Sequence, residues 1–260
     1  MNTPKVEVGV FILARNEQKN IGRCLEALRF SAWDVIVLDS GSTDDTPVIV
    51  SNFEFAEFRQ YAYTDHCTAY NQITTELGAG YRHVIILDAD MVISEALQRE
   101  LKVILSSISS MFQVVDSEIL MCIEGRPLKF GSLCPPKPFV FTVGRKYFLN
   151  VGHGEKLHDE IVPKHTREKL RHDDRKSYVS YLLSQVRYSR NLVLRKAAGE
   201  ISGRDKLRTR SPLLVFAVPF VSYFVKGGFL SGKIGIIYAL DRLIAEAIMY
   251  RRSLSGVQDD

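Results

Sequence analysis

The stretch His83–Val92, HVIILDADMV, runs from an apolar string straight into two aspartates separated by one alanine. A short apolar run bounded by polar residues reads as a strand buried on both faces. Negative charge at the end of such a strand is costly unless something neutralises it. Carboxylates at i and i+2 in the turn after a strand offer oxygens to one hard cation, so a divalent ion at Asp88 and Asp90 is the expected partner.

The flanking sequence repeats the pattern. Val6–Ala14 (VEVGVFILA) and Asp34–Asp39 (DVIVLD) read as further buried strands. Between them, Ile21, Leu25 and Leu28 fall on one helical face. Thr46 and Pro47 suit the start of a second helix, with Thr46 as cap; Asp44 and Asp45 are rival caps. A third strand is expected near Phe58–Tyr63, a helix over Thr68–Leu77 stopped at Gly78, and another from about Ser94 to Leu105. Apolar strands alternating with helices imply a mostly parallel sheet covered on both faces. Ligands of such sheets sit at the carboxyl ends of the strands. Three polar clusters occupy those ends: Arg15-Asn16-Glu17, Asp39-Ser40-Gly41-Ser42 and Asp88-Ala89-Asp90. Beyond about Val114 the alternation changes, and antiparallel or mixed strands are expected.

With 46% hydrophobic and 25% charged residues, the 260-residue chain has globular composition, which excludes disorder. The net charge of +4 is too small to imply a nucleic-acid partner. The four cysteines form no Cys-x-x-Cys pair, so neither a zinc site nor a disulfide framework is expected. His158, His165 and His172 are spaced by sevens, which fits no common zinc pattern. The N-terminus lacks the pattern of a secretory signal, and a cytoplasmic setting is the expectation.

Ile12–Leu28 (ILARNEQKNIGRCLEAL), Val35–Thr46 (VIVLDSGSTDDT) and Val84–Met91 (VIILDADM), in this order, resemble the N-terminal half of family 2 glycosyltransferases, over about residues 6–105. The resemblance implies the α/β GT-A fold, a Rossmann-like, mostly parallel sheet flanked by helices. It also implies a nucleotide-diphosphate-sugar donor, usually a UDP-sugar, and transfer with inversion. Carried over by position, Ala14, Arg15, Glu17 and Asp39 would face the nucleoside. Asp88 would lie near ribose or metal, and Asp90 would hold Mn2+ or Mg2+. In Ala62–Gly80, Asn71 is the one counterpart of the family's donor contacts. Gly154–Ser189 is similar to the lipopolysaccharide-core glucosyltransferase-like branch. That likeness makes Asp159 the general base, with Glu160 next in line, and leaves His158 to orient it. His172 would be a further metal ligand or a diphosphate contact. A Gln-x-x-Arg-Trp motif and multiple long spans are absent, which argues against a processive synthase.

The sequence divides into an expected GT-A domain, 1–200, and a helical region, 201–260. In the latter, Arg204, Lys206, Arg208 and Arg210 precede the apolar run Pro212–Val225, which is shorter than the roughly 20 residues of a span. Helices lying in the membrane interface fit this pattern; a buried helical hairpin or a dimer interface are the alternatives. The expected partners are therefore a nucleotide-sugar donor, a lipid-linked or lipopolysaccharide-type acceptor, the inner face of the cytoplasmic membrane and, less specifically, a second copy. A nucleotidyltransferase would need a glycine-rich phosphate loop after the first strand, which ARNEQKN does not provide; a donor-binding protein without turnover is the remaining rival.

Overall fold

Val6–Ala14 forms the central strand, β1, of a seven-stranded sheet. A computed structural model describes residues 6–107, 114–151, 154–199, 201 and 203–255. Its contacts divide the chain into two units. The first is Met1–Leu120, Cys134–Asn150 and Glu155–Arg175; the second is Met121–Leu133, Val151–Gly154 and Lys176–Asp260. The division by contacts thus falls after Arg175, ahead of a long helix, where composition suggested a boundary at 200/201.

In the first unit β1 is followed by α1 (Ile21–Leu28), β2 (Asp34–Asp39), α2 (Thr46–Ser51), β3 (Ala56–Gln60), α3 (His66–Gln72), β4 (Tyr81–Asp88), β5 (Met91–Val92) and α4 (Glu95–Ser107). β1 pairs in parallel with β2 and β4, and β2 with β3. Then come β6 (Val114–Ser117), β7 (Ile119–Ile123), β8 (Arg126–Pro127) and β9 (Lys137–Thr142). β9 lies antiparallel between β4 and β6, the change of direction expected after Val114. β10 (Phe148–Val151) and β11 (Gly154–Leu157) form a ribbon, β12 (Lys164–His165) extends the sheet edge, and β13 (Leu170–His172) pairs antiparallel with β5.

Strand alternation splits the core into two layers. Val8, Val10 and Ile12 face α1 and α4 through Ile21, Leu25, Leu97 and Leu101. Phe11 and Leu13 face α3 through Ala69, Tyr70 and Ile73. Each fully buried aliphatic side chain here contributes about 1.5–3 kcal/mol by leaving water.

Two local expectations are revised. Thr46 does not cap α2 but sits inside it; Asp44 instead accepts hydrogen bonds from the Thr46 amide and hydroxyl. The helix expected from Thr68 starts at His66, because the Asp65 carboxylate accepts from the Thr68 amide, and it ends in a π turn, Ile73–Leu77.

In the second unit, Glu124 and Gly125 both take positive φ and close the β7–β8 hairpin, as a two-residue turn of this type requires. α5 (Tyr178–Ala197), capped by Ser177, packs on α8 (Lys233–Ser255), and the Tyr181 hydroxyl donates to the Asp241 carbonyl. α6 (Gly203–Arg208) places Arg208 against buried Glu246 of α8. α7 (Leu213–Phe220) runs into a π turn, Val221–Val225. Among the described residues no helix is long and apolar enough to cross a membrane.

Candidate functional site

The parallel register sets Ala14 beside Asp39, and Leu13 beside Asp88. The ends of β1, β2 and β4 are therefore level, and the three polar clusters emerge at one rim. The loops after β1 and β2 are laced together there. The Asn16 amide donates to the Ser42 hydroxyl (2.8 Å), the Thr43 amide to Asn16 Oδ1 (2.8 Å), and the Glu17 amide to Thr46 Oγ1 (2.8 Å). Asn16 adopts φ 54°, which asparagine tolerates better than most residues because its short side chain bonds locally. Arg15 stays exposed and Glu17 half-buried.

Asp39 is fully buried. Its Oδ2 accepts from the amides of Gly41 (3.0 Å) and Ser42 (2.9 Å), and its Oδ1 from the Ser42 hydroxyl (2.5 Å). Gly41 has φ 85°, a backbone state that a side chain would strain. Asp39 thus shapes the loop that was expected to meet the nucleoside.

The partner of Asp88 in the structure is a lysine. Lys137 Nζ lies 2.5 Å from Asp88 Oδ2. The antiparallel pairing of β4 with β9 sets His83 opposite Thr142 and Ile85 opposite Val140. Carried three residues further, that register puts Lys137 across from Asp88. Burial pushes the Asp88 pKa up, but the Lys137 ammonium, with His66 and His172 nearby, outweighs it and holds the carboxyl below the usual range.

Asp90 is held differently. Its carbonyl accepts from the Asp173 amide (2.9 Å), and its Oδ2 lies 3.3 Å from His172 Nε2. β13 brings His172 there by pairing it with Met91. Burial pushes the His172 pKa down, yet the hydrogen bond and charge of Asp90, with Asp88 behind, raise it above the ordinary histidine value. Asp90 Oδ1 and His172 Nδ1 are both buried without a hydrogen-bond partner among the described residues. Buried polar atoms left unpaired are uncommon and call for an explanation. No cluster of three or more His, Cys, Asp or Glu side chains is placed to hold a metal among the described residues. Two protein ligands are nevertheless enough for an ion completed by substrate phosphates and water, so Asp90 and His172 fit the expected cation.

A second polar layer fixes this rim from behind. Buried Asp173 accepts from Arg175 Nε (2.7 Å) and from Arg171 (3.2 Å), with Arg23 3.9 Å away. Burial pushes its pKa up, but the guanidinium groups outweigh this and leave it low. Asn20 bridges Glu17 and Asp174 and accepts from the Arg175 amide, tying α1 to the end of β13.

The remaining expected residues lie elsewhere in the first unit. Asn71 is spent on backbone: Oδ1 accepts from the Tyr147 and Phe148 amides, and Nδ2 donates to the Phe148 carbonyl. In the structure this residue, expected to meet the donor, clamps the segment Tyr147–Phe148. Asp159 and Glu160 follow β11 in a turn. Both are exposed, Asp159 paired with Lys156 (2.7 Å) and Glu160 with Arg145 (2.9 Å). The His158 amide donates to the Tyr147 carbonyl, which anchors that turn to the segment held by Asn71. Sequence reading missed Lys137 and the Asp173 arginine cluster. A lone lysine opening an apolar strand after two prolines was the only signal for the first.

Residues 9–125 match Glycosyl transferase family 2. The family 2 segment spans β1 to the β7–β8 hairpin, so it contains all three strand-end clusters, and the mixed, mostly parallel sheet flanked by helices is the GT-A architecture that the sequence led us to expect. Over 50 residues the chain is 38% identical to the lipopolysaccharide core biosynthesis glycosyltransferase LpsC of Rhizobium meliloti (strain 1021), a match covering 19% of this chain and 18% of LpsC. Among solved structures, glucosyl-3-phosphoglycerate synthase from Mycobacterium tuberculosis, in complex with Mn2+, UDP and phosphoglyceric acid, is 22% identical, with TM-score 0.37 over 45% of this chain and 44% of that one. S. aureus TarS is 14% identical, with TM-score 0.46 over 94% of this chain and 55% of that one. The chain thus spans less than two thirds of each of these proteins.

Proposed function

We propose that the protein is an inverting glycosyltransferase that moves a sugar from a nucleoside-diphosphate donor, a UDP-sugar, to a lipid-linked or lipopolysaccharide-type glycan. The observation that carries this reading is the meeting of Asp88, Asp90, Lys137 and His172 at the level ends of parallel strands, with an orphaned carboxylate oxygen among them. The family 2 match and the naming of LpsC support the reaction class and the acceptor class respectively.

In this reading Arg15 and Glu17 border the nucleoside, while Asp39 keeps Gly41 and Ser42 in shape for it. Asp90 and His172 hold Mn2+ or Mg2+. A bound divalent cation supplies positive charge to the departing diphosphate. His172 carries an imidazole, a softer ligand that favours Mn2+ over Mg2+. Lys137 keeps Asp88 ionised and adds a fixed positive charge at the same rim. The acceptor oxygen bonds to the anomeric carbon as the bond from that carbon to the diphosphate oxygen breaks. The hydroxyl proton passes to a carboxylate, for which we assign Asp159, with Glu160 as its neighbour. Asp159 is suited by exposure, since an acceptor can reach it, and Lys156 lies beside it.

The test measures donor binding and sugar transfer with Mn2+, with Mg2+ and with chelator. Asp90→Ala is expected to abolish cation-dependent donor binding. Asp159→Ala is expected to keep donor binding and lose transfer. Full transfer in either variant removes that residue from its role, and donor binding that ignores chelator removes the cation from the reading. We also place the protein peripherally on the inner face of the cytoplasmic membrane, where such an acceptor is presented.

A further inference from the structure

Among the described residues, the apolar helix α7 has no buried residue. α7, LLVFAVPF, packs on α8 but leaves its outer face in water, and so do the π turn and short 3-10 turn that follow. Leu213, Phe216, Phe220, Phe224, Phe229 and Leu230 are between 49% and 74% exposed. Leu213, Phe216, Phe220 and Phe224 recur at three- and four-residue steps and form one stripe. Phe220 and Phe224 stack with centroids 4.9 Å apart, so the stripe is a continuous surface. Scattered apolar residues on a surface are ordinary, but a contiguous aromatic patch marks an interaction site.

The patch is held rigidly in place. Ser222, on the inner side of the π turn, donates to the Gly131 carbonyl at 2.8 Å. Gly228 packs against Gly131 so closely that a Cβ on Gly131 would lie 2.6 Å from Gly228 Cα, and a Cβ on Gly235 would collide with the Gly228 carbonyl oxygen. Only glycines permit this approach, and it fixes the turn that displays Phe224, Phe229 and Leu230 outward.

Charge selects the occupant. Residues 206–240 contain Lys206, Arg208, Arg210, Lys226 and Lys233, and neither Asp nor Glu. Arg208 is spent on Glu246, while Lys206, Arg210, Lys226 and Lys233 are exposed on either side of the aromatic stripe. Aromatic and aliphatic groups that need apolar contact, flanked by cations and by no acid, match an anionic bilayer surface: acyl chains take the rings and headgroup phosphates take the cations. We propose that the outer face of α7 and its two turns is a wedge that inserts into one leaflet of an anionic membrane, lying in its plane. The inference gives a structural basis to the membrane placement proposed above, and it does not depend on which sugar is moved.

The test is sedimentation of the full chain with phosphatidylcholine vesicles, with and without phosphatidylglycerol, beside the variant Phe216→Ser/Phe220→Ser/Phe224→Ser. The wild type is expected to bind the anionic vesicles, more weakly as salt rises, and the variant at least about tenfold less. Light scattering without lipid is expected to give the same mass for both. UDP binding, measured on each, is expected to be equal, so loss of the wedge and loss of the donor site are read separately. Should the variant not fold, Lys226→Gln/Lys233→Gln, which leaves the rings in place, must lower binding to anionic vesicles. Wild type that stays in the supernatant overturns the proposal. So does a wild-type dimer that the variant splits, since a second copy then covers the face, and so does unchanged vesicle binding by the variants.

Discussion

Replacing Asn71 by alanine separates a donor contact from a backbone clamp. The Asn71 side chain makes three hydrogen bonds to backbone: from the amides of Tyr147 (3.0 Å) and Phe148 (3.1 Å) and to the Phe148 carbonyl (2.9 Å). Truncation leaves two donors and one acceptor in half-buried surroundings. At about 1 kcal/mol net per hydrogen bond, the loss is about 2–3 kcal/mol. For a chain of this size that lowers Tm by roughly 4–12 °C. Asn71→Asp keeps both acceptor bonds but sets an oxygen against the Phe148 carbonyl, so its loss is expected to be smaller than that of alanine. Urea unfolding followed by circular dichroism gives the stability, and UDP titration below the transition gives the affinity. The clamp predicts a large stability loss with UDP affinity changed less than about threefold. Unchanged stability with UDP affinity down about tenfold or more refutes it and restores the donor contact.

Three further outcomes follow from the same geometry. Burial, aided by Arg82, pushes the His83 pKa down to about 4, so the folded state holds this ring neutral. Between the unfolded value near 6.5 and about 4 the unfolded chain binds the extra proton; stability is complete above about pH 6.5 and declines by up to about 3 kcal/mol as pH falls to about 4. Urea midpoints across that window are expected to flatten in His83→Leu, and an unaltered slope counts against burial as the cause. Lys137→Met strands the Asp88 charge and is expected to cost about 1–3 kcal/mol, most of it recovered by MnCl2 in a thermal-shift measurement; a variant as stable as wild type without added cation contradicts the pairing. Asp173→Asn leaves Arg23, Arg171 and Arg175 facing one another and is expected to cost about 1–3 kcal/mol, because the guanidinium groups are over a third exposed; added salt is expected to restore part of it, and no salt effect argues against charge repulsion.

Much of this fold was legible because its information is local. β1, β2 and β4 are continuous apolar runs that end on charge, and their parallel pairing follows from the helices between them. The place of Asp90 at that rim was legible for the same reason. What escaped depends on pairing between distant segments. Lys137 meets Asp88 only because β9 runs antiparallel beside β4, and no periodicity near Pro135 and Pro136 announces that neighbour. Asn71 was assigned to the donor only through the resemblance; its amide bonds to backbone some 75 residues away, which a local window cannot register. Asp159 and Glu160 were assigned only through the resemblance, and the turn after β11 exposes both. The apolar run of α7 was visible in the sequence, but whether it is buried was decided only by the fold, which leaves Leu213, Phe216 and Phe220 exposed.

The central claim is that a divalent cation, seated by Asp90 and His172, receives the donor diphosphate. Anomalous diffraction from a crystal grown with MnCl2 and UDP addresses it most directly. A manganese peak within bonding distance of Asp90 and His172 and touching the diphosphate is predicted. Diphosphate bound with no manganese at that pair, or manganese bound elsewhere while Asp90 Oδ1 keeps no partner, contradicts it.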